Sequence, residues 1–205
     1  MLFLPTPDEV EVTAFTHPAW RRKGCFDLLL RQAKKEILAH GYHRILFDIE
    51  GESETGHEAV RHYPAIYSFS EFTMLLPSFP PVSSSTLSLV KATEMLYGQV
   101  DDEPMRDGDG RDTYVALCGE TPVGCVALSP QGDKCWLYHV FIKPAYRGKG
   151  LGEALLRLAI EKASPLTPIL EVDTKNIPAL SLYRKLGFKE TSPTTDYFSM
   201  EVSNG

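Results

Sequence analysis

Near the start of the chain, Val10, Val12 and Ala14 alternate with Glu9, Glu11 and Thr13. That is the period of a strand with one buried face. After Gly24 the period becomes helical: Phe26, Leu29, Leu30, Ala33 and Ile37 recur at i, i+3, i+4, i+7 and i+11. Gly41 should end this helix, and residues 44–49 read as a strand again. From there to Met74 the pattern is mixed and assigns no element. Further on, residues 86–91, 114–118, 123–129, 135–142 and 169–172 read as strands. The turn Gly119-Glu120-Thr121-Pro122 makes a hairpin of the second and third. A helix after Gly150 collects Leu151, Ala154, Leu155, Leu158 and Ala159 on one face. Another from about Pro178 collects Ala179, Leu182, Tyr183 and Leu186, with Gly187 as its C′ residue. Phe188 starts another strand, and residues 197–202 form the last.

Two of these strand-to-helix junctions are alike. WRRKGCFDLLLRQA (20–33) and YRGKGLGEALLRLA (146–159) share an aromatic residue, Arg, x-Lys-Gly and an apolar helical run. Each follows Pro-Ala, and an offset of 126 residues relates Pro18 to Pro144. The second junction has the chemistry of an anion site. A helix start presents unpaired N–H groups and the positive end of the helix dipole. Glycines let a phosphate approach the backbone and allow φ > 0, and Arg147 and Lys149 add charge. A dinucleotide fingerprint would need glycine at position 153, which is Glu153, and a Walker A loop is absent. A tight glycine turn without a ligand is the plain alternative.

The Pro- and Ser-rich stretch PSFPPVSSST divides the chain into residues 1–76, a linker at 77–85, and residues 86–205. No apolar run approaches the length of a membrane span, and the start lacks the basic region of a secretory leader. Cys25, Cys118, Cys125 and Cys135 show no C-x-x-C spacing and read as free thiols of a reducing cytoplasm. A formal net charge of −6 argues against nonspecific nucleic-acid binding. The histidines build no metal site, and the acidic stretch 101–112 departs from the calcium-loop pattern at Arg111 and Asp112.

The run VFIKPAYRGKGLGEALL, followed by LEVDTKNIPALSLYRKLGF, resembles the GCN5-related N-acetyltransferase (GNAT) family over about residues 86–205. Its pattern [R/Q]-x-x-G-x-[G/A] is met by Arg147, Gly150 and Gly152. Its downstream pattern is met by Asn176, Ala179, Leu182-Tyr183 and Gly187-Phe188. The resemblance implies an α/β (α+β) fold, with a mixed, mostly antiparallel sheet, flanking helices and acetyl-CoA between splayed central strands. It implies N-acetyl transfer from acetyl-CoA to a small-molecule or peptide amine by direct attack, through a tetrahedral intermediate. The main chain of Val140, Phe141 and Ile142 would hold the thioester arm. The backbone of Gly148, Lys149, Gly150, Leu151, Gly152 and Glu153 would hold the pyrophosphate, with Arg147 adding charge at the same cofactor site.

Such a reaction needs a group to take the ammonium proton and another to protonate the leaving thiolate. The resemblance points to Glu171 as base, with Asp173 as substitute. Other members carry a glutamate where this chain has Tyr138, and His139 beside it reads as structural. Tyr183 is the candidate acid, since a phenol near ~10 lies above a thiol near ~8.5; its apolar helix face equally suits a core residue. Asn176 would bond the cofactor arm, cap the helix that follows, or both. Asp101, Asp102 and Glu103 would attract the amine.

The first copy has only 17 residues before Pro18, too few for the opening strands of a full domain. It keeps Arg21 and Gly24 but has Phe26 where the second has Gly152, a side chain expected to crowd a pyrophosphate. The expectation is a truncated, degenerate half paired with one working domain, as in tandem members of the family. That half would cover the other's sheet or join a second chain as a homodimer. A non-catalytic CoA-binding sensor or scaffold is the alternative function.

Overall fold

The computed structural model describes residues 2–6, 8–79, 85–102, 105, 110–191 and 193–203. The elements, in chain order, are β1 (Leu2–Thr6), β2 (Glu9–Val12), α1 (Cys25–Ala39), β3 (Arg44–Glu50), α2 (Glu54–Val60) and β4 (Ile66–Leu75). There follow β5 (Leu87–Lys91), α3 (Glu94–Tyr97), β6 (Asp112–Cys118), β7 (Thr121–Gln131) and β8 (Lys134–Ile142). Last come α4 (Leu151–Ala163), β9 (Thr167–Asp173), α5 (Ile177–Leu186), β10 (Lys189–Glu190) and β11 (Thr195–Glu201). Every element with a clear period in the sequence is present. The stretch without one holds α2 and β4, whose exposed residues Ile66 and Tyr67 blur the alternation.

The chain forms two compact units, residues 1–71 with 193–205, and residues 72–192. This division differs from the boundary at 77–85 read from composition, most of which lies outside the described residues. In the first unit β1 and β2 are antiparallel, and β2 and β3 are parallel. The sheet is then completed by β11, antiparallel to β3 from Thr195↔Glu50 to Glu201↔Arg44 and to residues 66–71 of β4. The chain's last strand therefore belongs with its first ones. The buried residues of β11, Tyr197 and Met200, are three apart and so lie on opposite faces, and their pattern does not tell which strands flank them.

A polar cluster holds β11 to α2 within this unit. His57 Nε2 lies 3.0 Å from Asp196 Oδ2, and Nδ1 lies 2.9 Å from the carbonyl oxygen of Ser53. Ser70 donates to the other Asp196 oxygen at 2.6 Å. Both ring nitrogens face acceptors, so both bonds form only when the ring carries two N–H groups. The core of the unit is Val10, Leu30, Ile37, Ile45, Phe47 and Met200 with their neighbours. Leu29, expected on the buried face of α1, is 58% exposed.

The second unit is a meander of antiparallel strands, β5 to β8, followed by β9 parallel to β8. Residues 72–75 of β4 lie beside β9 and carry β10. On one face α4 and α5 bury Leu155, Leu156, Ala159, Leu180 and Leu186 against Val126, Leu137, Leu170 and Val172. On the other, α3 buries Tyr97 with Val100, Val115 and Cys125.

Ending the chain at Pro193 removes β11 from between β3 and β4. The expected result is loss of hydrogen-exchange protection at residues 44–50 and 66–71 while α4 and β8 stay protected. Unchanged protection at 44–50 would contradict this role for β11.

Candidate active site

The β8–β9 ladder has only three pairs, Lys134↔Thr167, Cys135↔Pro168 and Trp136↔Ile169. Both strands continue, β8 to Ile142 and β9 to Asp173, so a gap opens between them. On its other edge β8 pairs with β7 across a bulge, where Ala127↔Tyr138 is followed by Cys125↔Phe141. His139 and Val140 thus share the place opposite Val126. His139 has φ of 48°, in the left-handed region. Val140 and Ile142 pack into the core under α4, while His139 stacks on Phe141 on the opposite face, 5.7 Å between ring centres. Gly124 makes the close approach of β7 possible. A Cβ there would fall on the carbonyl oxygen of Phe141 and 2.7 Å from Ile142 Cδ1.

The end of β8 leads into one turn of 3-10 helix, Pro144–Tyr146, and then the glycine loop. Gly148 and Gly150 have φ of 75° and 76°. The first helical bond of α4 runs from Ala154 N–H to the Gly150 carbonyl at 3.2 Å. The amides of Leu151, Gly152 and Glu153 precede it and face outward along the dipole, as an anion needs. Arg147 and Lys149, expected to contact the anion, brace the loop. Arg147 Nε donates to the Ile142 carbonyl at 2.9 Å, with its guanidinium 5.5 Å from the Phe141 ring centre. Lys149 Nζ donates to the Ala145 carbonyl at 3.3 Å. Glu153 pairs with Lys185 at 2.6 Å and Arg157 at 3.0 Å. Its carboxyl is held below the usual range, by the Lys185 bond first and the Arg157 bond next.

Across the gap, Glu171 is exposed between the buried Leu170 and Val172. It therefore points away from the α4–α5 core, to the face that carries His139 and Phe141. Asp173 is turned to the backbone, accepting from Lys175 N–H at 2.7 Å. Asn176 caps α5, accepting from Ala179 N–H at 3.2 Å. Tyr183 is 8% exposed within the core, its ring 5.8 Å from Phe188, and burial pushes its phenol up. The Tyr138 ring lies under the Arg111 guanidinium at 4.1 Å.

One residue pair was not legible in the sequence. His139 Nε2 lies 2.6 Å from Asp101 Oδ2, joining β8 to the segment after α3. Asp101 is therefore engaged with an imidazole rather than displayed to solvent, and its side chain is 15% exposed. The acidic residues Glu103, Asp107 and Asp109 lie outside the described residues.

The first unit repeats the loop geometry with other residues. Its 3-10 turn is Pro18–Trp20, and Arg21 Nε donates to the Thr16 carbonyl at 3.2 Å, as Arg147 does to Ile142. Gly24 has φ of 74°, and Arg22 takes φ of 56° where the second unit has Gly148. A Cβ on Gly152 would point at Leu182, 3.3 Å away, and the Phe26 ring likewise turns to Tyr63, 5.7 Å between centres. The difference lies in the strands. The β2–β3 ladder continues to Val12↔Phe47, and just beyond it Thr13 Oγ1 donates to both Asp48 oxygens at 3.0 and 3.1 Å. A cavity of about 1070 Å³ remains outside this tie, lined by Phe15, Trp20, Arg21, Phe26, Phe47 and Tyr63 among others. Among the described residues no group of three or more His, Cys, Asp or Glu is placed to hold a metal ion. No described helix is long and apolar enough to cross a membrane.

A model of the acetyltransferase (GNAT) family matches residues 80–188. An uncharacterised N-acetyltransferase of Schizosaccharomyces pombe is 32% identical over 122 residues, 54% of this chain and 73% of that protein. The N-alpha-acetyltransferase RimI of Mycobacterium tuberculosis is 34% identical over 87 residues, 40% of this chain and 55% of that one. The ribosomal protein bS18 alanine N-acetyltransferase of Escherichia coli is 38% identical over 69 residues, 32% of this chain. The matched segment spans 47% of that protein, so this chain covers about half the length of the last two relatives. Among solved structures, a GCN5-related N-acetyltransferase from Sphaerobacter thermophilus has a TM-score of 0.76 at 14% identity, covering 100% of this chain and 76% of that one. A tandem GNAT protein from the clavulanic acid biosynthesis pathway has a TM-score of 0.70 at 18% identity, covering 100% and 78%. At these identities the two structures establish the fold.

Replacing Gly124 by Ala sets a methyl group against the β8 main chain at the bulge. The expected cost is about 1–3 kcal/mol of stability, read by urea unfolding, because backbone must shift to admit it. A neutral substitution would show that the close β7–β8 approach is not constrained.

Proposed function

The chain belongs to the acetyltransferase (GNAT) family, and on that premise we propose that it transfers an acetyl group from acetyl-CoA to a primary amine. The observation that carries this reading is the meeting of three features at one end of β8. They are the opened β8–β9 ladder, the bulge, and the helix start behind Gly148 and Gly150. The residues fit the cosubstrate. The amides of Leu151, Gly152 and Glu153 suit its pyrophosphate, and β8 main chain past Trp136 no longer pairs with β9. Acetyl-CoA supplies an activated thioester there. Main-chain groups of Val140, Phe141 and Ile142 would align it, and a backbone N–H directed at the carbonyl stabilises the oxyanion formed on attack.

Glu171, on the face opposite the α4–α5 core, is the proposed base: it receives the acceptor's ammonium and draws off a proton. Tyr183 is the proposed donor to the departing thiolate; its raised phenol stays protonated at neutral pH. Asn176 caps α5, which leaves its amide nitrogen to meet the cofactor arm. A free polypeptide N-terminus is the favoured acceptor, because two relatives are named for N-alpha- and alanine N-acetylation. The four free cysteines suit the cytoplasm.

The first unit is proposed to be a truncated second copy of the same architecture. The shared turn, the matching Arg bonds and the left-handed residues at 22 and 24 support it. The Thr13–Asp48 tie across its strands is why we assign the chemistry to the second unit alone.

Glu171→Gln is expected to lower kcat/KM by about 100-fold, the lower range for a general base, while acetyl-CoA binding is retained. Steady-state kinetics with calorimetry checks both. An unchanged kcat/KM would remove Glu171 from the proposed mechanism.

A further inference from the structure

The exposed carboxylate of Glu171 can attract an ammonium, but a proton drawn to it must still leave the gap. We propose that His139, oriented by Asp101, is the group that carries the acceptor's proton out, an assignment that rests on the transfer reading above. Three observations support it together. The imidazole sits at the bulge, one residue before Val140, on the same face as Glu171 and across the opened ladder from it. It is held there in a left-handed backbone conformation that is unfavourable for a non-glycine residue. And its ring is fixed on both sides, by Phe141 at 5.7 Å and by Tyr97 at 6.2 Å between centres.

The bond to Asp101 sets the chemistry of the ring. A carboxylate accepts, so Nε2 carries the N–H and Nδ1 keeps a lone pair. Among the described residues Nδ1 has no hydrogen-bond partner, and the His139 side chain is 40% exposed, so the lone pair is reachable. Asp101 is sunk beside the sheet, near enough to Cys125 to add to the burial that pushes that thiol up to about 12. The neighbouring cations are engaged elsewhere. Lys143 Nζ donates to the Gln99 carbonyl at 2.7 Å, and Arg147 bonds the Ile142 carbonyl beside the Phe141 ring. Among the described residues, Asp101 is the charge that faces the imidazole at bonding distance.

The protons balance. Glu171 draws one proton from the ammonium and passes it through water to Nδ1, and the neutral amine's lone pair forms the bond to the thioester carbon. The carbon–sulfur bond breaks and the thiolate is protonated, by Tyr183 in the reading above, which recovers its proton from the new amide nitrogen. The imidazolium releases its proton to water, so each turnover yields one proton, the amide and CoA.

Two measurements test this, with a short peptide bearing a free N-terminal alanine as acceptor. The pH profile of kcat/KM should show a limb that disappears in His139→Gln, with a fall of about 100-fold at pH 7 and little change in KM. The same limb should persist in Glu171→Gln. A limb unchanged in His139→Gln overturns the proposal. Nitrogen-15 correlation spectra, assigned through His139→Gln, should show His139 with its proton on Nε2, and a mixture of tautomers in Asp101→Asn. If the wild type releases no CoA with this peptide, the acceptor reading fails by itself and the spectra still decide. A locked Nε2–H form supports the pair, and a mixed or Nδ1–H form in the wild type overturns it.

Discussion

Everything at the candidate site depends on where β8 stops pairing. A parallel ladder that ends after three pairs leaves main-chain groups inside a sheet without neighbours. Such groups are costly unless something bonds them. The bulge at His139 and Val140 produces this state, and Gly124 admits it by letting β7 follow the bent strand without a side chain. The helix start at Leu151 then sits one short loop away, so outward-facing amides and a strand segment that has left its ladder are consecutive along the chain. The same bend that opens the ladder turns His139 toward Asp101.

The two junctions show which parts of this device depend on residue type. The turn, the arginine bond to a carbonyl five residues back, and the left-handed residue before the helix recur in both units. Arg22 adopts a left-handed φ where the second unit uses glycine, so the loop shape is imposed by its surroundings as much as by glycine. The strands behave differently. In the first unit the ladder continues, and Thr13 ties across to Asp48. Burial raises the Asp48 carboxyl while the Thr13 bond lowers it, and the burial effect is the larger. A carboxyl raised in the folded state gains stability as pH falls through its folded value, because protonation relieves the burial of the charge, although the Thr13 bond itself favours the ionised form.

Much of this was legible in the sequence. Local periodicity located α1, α4, α5 and strands β5 to β9 of the second unit, and the glycine spacing located the loop with left-handed residues before α4. Faces were legible where one pattern dominated: Leu155 and Ala159 are buried as their spacing requires. Long-range pairing was not. Nothing in residues 195–201 announces that they fit between β3 and β4, because alternation carries no partner identity. His139 and Asp101 are 38 residues apart, and a bulge reverses the face that alternation predicts.

The central claim is that the opened ladder of the second unit is the chain's single acetyl-CoA site. Calorimetric titration of the whole protein with acetyl-CoA measures this directly through its stoichiometry. The account predicts one site per chain, abolished by Gly150→Val and retained in Gly24→Val. Two sites, or one site lost only in Gly24→Val, would contradict it.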